Sequence, residues 1–295
     1  MEPHHEDYNG RPHRRIGKGL HMNRKKGLAV ILAFALAFTM SMSSVAFAAE
    51  GDGYLALGSD LSESERNTVM DLLGVDDPEN YNVIYVTNAE EHKYLDSYVD
   101  SDQIGSRALS SVLIKEQGGS DIDVEIHNIG YCTEGMYRNA LQTAGVEGAE
   151  VVVAGPFEIS GTAALVGTIK AYEEMSGEDV DDEVIEGAVD ELTTTGEVGE
   201  ELGDKEAAED IVSQVKEDLA DNPDMSDDQI VESIKQATSE AGYDLSEASI
   251  EKIKDMVKNL QGLNIDWGGL KEKLNQISES SWYQRLLDWF MRFFE

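Results

Sequence analysis

Cysteine is nearly absent from this chain: Cys132 stands alone among 295 residues. One thiol excludes any intrachain disulfide framework. Histidine is scarce where it would matter. Four of the six lie before residue 22, leaving His92 and His127 for a folded domain, too few for a His-rich zinc site. Basic charge is short as well, with 23 Lys+Arg against 59 Asp+Glu and a net charge of -36. Phosphate neutralisation needs clustered Lys and Arg, so a general nucleic-acid binder is excluded. Neither a Walker loop nor a dinucleotide fingerprint occurs, and no cofactor is implied. What remains, 41% hydrophobic and 28% charged residues, reads as globular.

The N-terminus carries an export signal. Arg24-Lys25-Lys26 precede an apolar run from Gly27 to Phe38, followed by Ala46-Phe47-Ala48. That is a basic region, an apolar region and an A-x-A cleavage site in the order of a secretory signal. The run is short for a bilayer span of roughly 20 residues; an uncleaved anchor is the alternative. Met22 to Lys26 alone completes the basic region, so translation from either Met1 or Met22 fits, with residues 1–21 an upstream extension. Cleavage near Ala48 leaves 16 basic and 56 acidic residues, a net charge of -40. The expected location is extracellular or envelope-associated. No Cys at the cleavage site offers a lipid attachment, and no Leu-Pro-x-Thr-Gly motif stands near the C-terminus.

Residues 54–175 mix strand and helix signals. Val83-Ile84-Tyr85-Val86 and Val151-Val152-Val153 are continuous apolar runs, predicting strands covered on both faces. Ile122, Val124 and Ile126 alternate with polar residues, predicting a strand near an edge. Thr87 to Glu90 has capping-box spacing and should open a helix through Leu95. Met136, Ala140 and Leu141 share a helix face that should stop at Ala144-Gly145. A third helix is predicted from Ser160 through Tyr172, after a turn at Gly155-Pro156. This alternation argues for an α/β layer domain.

From residue 176 to 265 the composition turns acidic. Residues 173–260 hold 29 Asp+Glu and 6 Lys+Arg, mostly a solvated outer face of an all-helical part. Met225-Ser226-Asp227 before Ile230, and Leu245-Ser246-Glu247 before Ile250, each pair a capping Ser with a hydrophobic staple. Gly196, Gly199 and Gly203 predict a loop. The fold class is therefore α+β or α/β: a strand-helix sheet domain followed by an acidic helical part.

Residues 266–295 form a further segment of amphipathic aromatic helices. Trp282, Leu286, Trp289, Phe290 and Phe293 fall on one helical face. The predicted helix, about 14 residues, is too short to span a bilayer but suits an interface. It either attaches the protein to a membrane surface or protein partner, or folds back to close the helical core.

Several blocks carry a family likeness: Gly58 to Ser62 with Gly74-Val75, Val86 to Glu91, Met136 to Leu141 with Thr143 to Val146, and Pro156-Phe157 with Ser160 to Leu165. In this order they resemble the YpuA-like exported proteins of Gram-positive bacteria, from about Tyr54 to at least residue 260. The resemblance implies export and one module, and carries no catalytic residues or ligand, that family being a domain of unknown function.

Ser160, Gly161 and Thr162 are the candidate ligand site, where a helix N-terminus offers free N–H groups to a small anion. Plain capping by Ser160 accounts for the same residues. A hydrolase elbow fails, because Glu158 and Thr162 stand where that motif needs glycines. Cys132 and His127 lie five residues apart, as a reactive pair or as a buried thiol beside a wet histidine. Asp179, Asp181 and Glu183 imitate the start of a calcium loop, but Val184 and Asp190 break it. No metal site is expected beyond weak attraction of divalent cations. The function read here is a non-enzymatic binding or interaction module of the cell envelope. The alternative is a hydrolase of wall or extracellular substrates, working through two buried carboxylates in one cleft near Ser160.

Overall fold

The computed structural model describes residues 53–99 and 101–271. The predicted signal segment and the predicted aromatic face from Trp282 to Phe293 lie outside the described residues. Five strands form a mixed sheet: β1 (Tyr54–Gly58), β2 (Asn82–Val86), β3 (Ser111–Glu116), β4 (Ile122–Ile129) and β5 (Ala149–Ile159), in the order β2-β1-β3-β5-β4. β1 and β2 are parallel, as are β4 and β5, while β3 runs antiparallel between β1 and β5.

Helices interleave with the strands. They are α1 (Glu63–Leu72), α2 (Asn88–Leu95), the single turn α3 (Ser101–Ile104), α4 (Glu134–Thr143) and α5 (Thr162–Ser176). Four more follow in succession: α6 (Asp182–Leu202), α7 (Lys205–Asp221), α8 (Asp227–Glu240) and α9 (Glu247–Gln261). Among the described residues no helix is long and apolar enough to cross a membrane.

The two-residue period of a strand sorts its side chains between two cores. Leu55, Leu57, Leu113 and Val152 meet Val69, Met70 and Leu73 of α1 on one face. Ala56, Val112, Ile114, Val151 and Val153 meet α4, α5 and α6 on the other. A third cluster joins α7, α8 and α9 around Ile211, Val215, Ile234 and Ile253. α6 connects the last two, contributing Ile185, Ala188 and Leu192 to the sheet core and Val198 to the helical one.

The expected capping signals at α2, α8 and α9 form as read. Thr87 and Glu90 close a capping box on α2, Ser226 and Gln229 close one on α8, and Ser246 accepts from the Ser249 N–H on α9. α4 ends at Ala144 with Gly145 at φ 81°, and β4 is the edge strand that its alternation predicts.

Four expectations are corrected. β2 is an edge strand: Val86 is buried, but Val83 and Ile84 are half-buried and Tyr85 is exposed. An unbroken apolar run thus marks an edge here, because neighbouring helices shelter part of it. β5 continues through Gly155 and Pro156 to Ile159. Pairing with β3 has ended at Ala154, so Pro156 removes no ladder bond. Gly161, not Ser160, caps α5, with φ 90° and no side-chain cap. Gly196 and Gly199 lie inside α6, and Gly203 alone ends it in the left-handed region. Those two glycines serve close approach: a Cβ at 196 would stand 2.2 Å from the Tyr131 hydroxyl, and one at 199 would stand 2.9 Å from Lys205 Cγ.

Candidate functional site

The N-terminus of α5, the end of β5, the first turn of α2 and the chain from 104 to 110 enclose a cleft of about 360 Å³. Its walls include Ser160 and Thr162, which the sequence singles out, together with Glu91, Arg107, Ile104 and Phe157. The size falls in the range of small-molecule sites, about 300–1,000 Å³.

Glu91 reaches the cleft because the capping box fixes where α2 begins. Glu90 turns back to the Thr87 N–H, and the next residue falls inward. Glu91 is 1% exposed, and its Oε2 accepts from Asn88 Nδ2 at 3.1 Å. Asn88 also donates to the Gly105 carbonyl at 3.2 Å, and His92 Nε2 lies 3.0 Å from that same oxygen. Burial pushes the Glu91 carboxyl up to about 7; the Asn88 hydrogen bond opposes this, and the charges of Asp60 and Glu90 add to it. Near neutral pH this group exchanges between acid and carboxylate.

Arg107 donates from both terminal nitrogens to Glu65, at 3.0 and 2.5 Å, and to the Asp60 carbonyl at 2.8 Å. Those bonds hold the Glu65 carboxyl down at about 2. The guanidinium is thus neutralised in place and acts as a wall. Phe157 is 51% exposed and, with Tyr85, is one of the two large hydrophobic side chains exposed among the described residues.

The three sequence-predicted residues divide by role. Thr162 is buried and Ser160 half-buried, with their hydroxyl oxygens 3.4 Å apart. Gly161 does not line the cleft. A Cβ there would stand 2.5 Å from Ile129 Cγ2 and 2.5 Å from the Tyr137 hydroxyl. Tyr137 donates to the Gly161 carbonyl at 2.6 Å, tying α4 to the start of α5. Glu91 and Arg107 escape the sequence reading. One acid in a Glu90-Glu91 pair looks like its neighbour until the helix phase and the covering chain are known.

Cys132 is 2% exposed, and burial pushes its thiol up to about 12. This is the inert, buried alternative. His127 pairs with Glu125 at 3.1 Å. Residues 182–190 are helical, so the calcium-loop imitation does not form a loop. Among the described residues, no three His, Cys, Asp or Glu side chains converge as metal ligands.

A family model described as a protein of unknown function, DUF1002, matches residues 57–277. The chain belongs to the DUF1002 family. Within reach of that family, the uncharacterized protein YpuA of Bacillus subtilis (strain 168) is 39% identical over 282 residues, covering 91% of this chain and 96% of the relative. No solved structure matches. The DUF1002 region includes every wall residue of the cleft named above.

Proposed function

We propose that this DUF1002 protein is an exported, envelope-associated binding module whose cleft takes a neutral, polyhydroxylated ligand such as a glycan segment of the cell wall. The observation that carries the reading is the half-exposed ring of Phe157 beside a polar floor of Glu91, Ser160 and Thr162. An aromatic face stacks on the C–H face of a sugar ring, while carboxyl and hydroxyl groups meet its hydroxyls. The surrounding acids disfavour an anion: Asp60 and Glu90 already repel the Glu91 carboxylate. The basic and apolar segment from Arg24 to Ala48 supports export. Attachment through the face of Trp282, Leu286, Trp289, Phe290 and Phe293 would hold the module at a membrane or protein partner.

Sedimentation of the full chain with purified wall glycan tests the reading. Binding should be saturable, and Phe157→Ala should abolish it while leaving the thermal transition unchanged. Binding that survives Phe157→Ala would move the ligand elsewhere.

A hydrolase reading draws on one observation, the Glu91 carboxyl near 7, a value suited to a general acid. Glycoside hydrolysis uses two carboxyl groups, roughly 5–9.5 Å apart. Among the described wall residues Glu91 is the one acid. Release of reducing sugar from the same glycan, lost in Glu91→Gln, would favour hydrolysis over binding.

A further inference from the structure

The ladder between β4 and β5 is not regular along its whole length. Its register pairs His127 with Ala154 and Ile129 with Ile159. Between those two pairs β4 advances by two residues and β5 by five, so β5 carries three extra residues. Pairing of β5 with β3 has also ended at Ala154. Gly155, Pro156, Phe157 and Glu158 therefore form a bulge, with Phe157 and Glu158 exposed. Bulges re-aim side chains beside functional sites. This one places Phe157 in the cleft wall with Ser160 and Thr162.

Opposite the bulge lies Asn128, at φ 57° the one non-glycine residue with positive φ among the described residues. Asparagine enters that region more readily than most side chains do. Its Nδ2 donates to the Gly155 carbonyl at 3.0 Å, where the bulge begins. Gly155 is buried, and a Cβ there would stand 2.7 Å from the Phe157 carbonyl oxygen and 2.8 Å from Ile159 Cγ1. The chain thus doubles back closely over Gly155. Beyond the bulge, the Gly130 N–H donates to the Ile159 carbonyl at 2.8 Å and the Cys132 N–H to the Ser160 carbonyl at 3.1 Å. The bulge is anchored at both ends, and the Asn128 amide is the side-chain clamp at its start.

We propose that Asn128 is a positioning residue of the cleft: through the Gly155 clamp it fixes the bulge, and the bulge fixes the Phe157 ring against which the ligand lies. The ligand in this proposal rests on the glycan reading above. A ring already held in place has little freedom left to lose when a sugar stacks on it, so a rigid bulge raises affinity by preorganisation. Loosening the clamp costs affinity without removing any group that touches the ligand.

Fluorine NMR of the full chain grown with 4-fluorophenylalanine tests the proposal, the Phe157 resonance being the one absent in Phe157→Ala. Asn128→Asp keeps the size and the tolerance of positive φ, but its ionised carboxyl has no N–H to donate. Its Phe157 resonance should shift or split, and its binding of purified wall glycan should weaken about two- to tenfold. Asn67→Asp, exposed on α1, adds the same charge and should change neither. An unmoved Phe157 resonance in Asn128→Asp overturns the positioning role, whatever the glycan result. A moved resonance with glycan affinity unchanged overturns the link between ring position and binding. A moved resonance in a protein whose parent binds no glycan supports the positioning role and removes the glycan reading instead. Should Asn128→Asp fail to fold, Asn128→Gly, which takes positive φ without strain and also lacks the donor, makes the same comparison.

Discussion

The ring of Tyr131 lies directly against Gly196 of α6, so close that a Cβ at 196 would stand 2.2 Å from its hydroxyl oxygen. The hydroxyl donates to the Thr193 carbonyl at 3.4 Å. Lys205 Nζ sits 5.0 Å from the ring centroid and donates to the Tyr131 carbonyl at 2.6 Å. Three segments therefore meet at one aromatic ring, and only the missing side chain of Gly196 lets α6 come near enough.

Gly196→Ala should therefore destabilise the protein. Overpacking costs about 1–3 kcal/mol, offset by about 1 kcal/mol of helix propensity. A net loss of up to about 2 kcal/mol in urea unfolding is expected. Tyr131→Leu in the Gly196→Ala background should recover part of it; a gain of stability in the single variant would mean that the ring moves away freely.

Lys216 and Glu191 form an ion pair at 2.7 Å with both side chains almost wholly buried. Lys216 also donates to the Asn139 carbonyl at 2.9 Å, and Thr143 donates to the other Glu191 oxygen. Burial pushes the Glu191 carboxyl up, while Lys216 and Thr143 pull it down. Removing one partner leaves a buried charge uncompensated, at about 3–5 kcal/mol. Lys216→Met should show that loss, and the double variant Glu191→Leu with Lys216→Met should lose less. Unfolding curves of the three proteins decide it.

Glu91 makes stability depend on pH in a stated direction. Its carboxyl titrates near 7 in the folded protein against an ordinary value of 4.5. The folded state thus binds the proton more tightly than the unfolded one. The stabilisation from holding that proton is complete below pH 4.5 and is lost as pH rises through 7. It amounts to about 3 kcal/mol. Glu91→Gln should flatten this part of the profile, measured as the difference from the parent between pH 4.5 and 8. Parallel profiles would mean that Glu91 stays ionised throughout.

Limited proteolysis should open the chain first at the exposed turn of residues 222–224, between α7 and α8. Residues 196–199 should resist until the whole helix unfolds, because they belong to α6 and pack against Tyr131 and Lys205. Mass spectrometry of early fragments distinguishes the two places. First cleavage at 196–199 would show that the end of α6 opens locally.

Local chemistry was legible wherever a few neighbouring residues decide it. Helix starts at Thr87, Ser226 and Ser246 follow from a hydroxyl meeting N–H groups two or three residues on, a matter of side-chain reach. The alternation of Ile122, Val124 and Ile126 gave an edge strand, because a half-wet strand needs two kinds of face. β1 and β3 left no comparable mark. Tyr54–Gly58 and Ser111–Glu116 are short, and both are strands because the sheet on either side supplies their hydrogen bonds.

Tertiary structure decided what depends on distant partners. Glycine reads as a chain breaker when only neighbours are counted, yet Gly196 is held in a helix by Tyr131, 65 positions earlier in the chain. Glu91 differs from Glu90 in helix phase, which the capping box sets, and in cover, which comes from the chain at 104–110 folding over α2. Ser160 and Thr162 were visible as a helix entry. That they face a cleft with Glu91 and Phe157 was not, because burial and dielectric are properties of a packed volume, and only the fold assembles it.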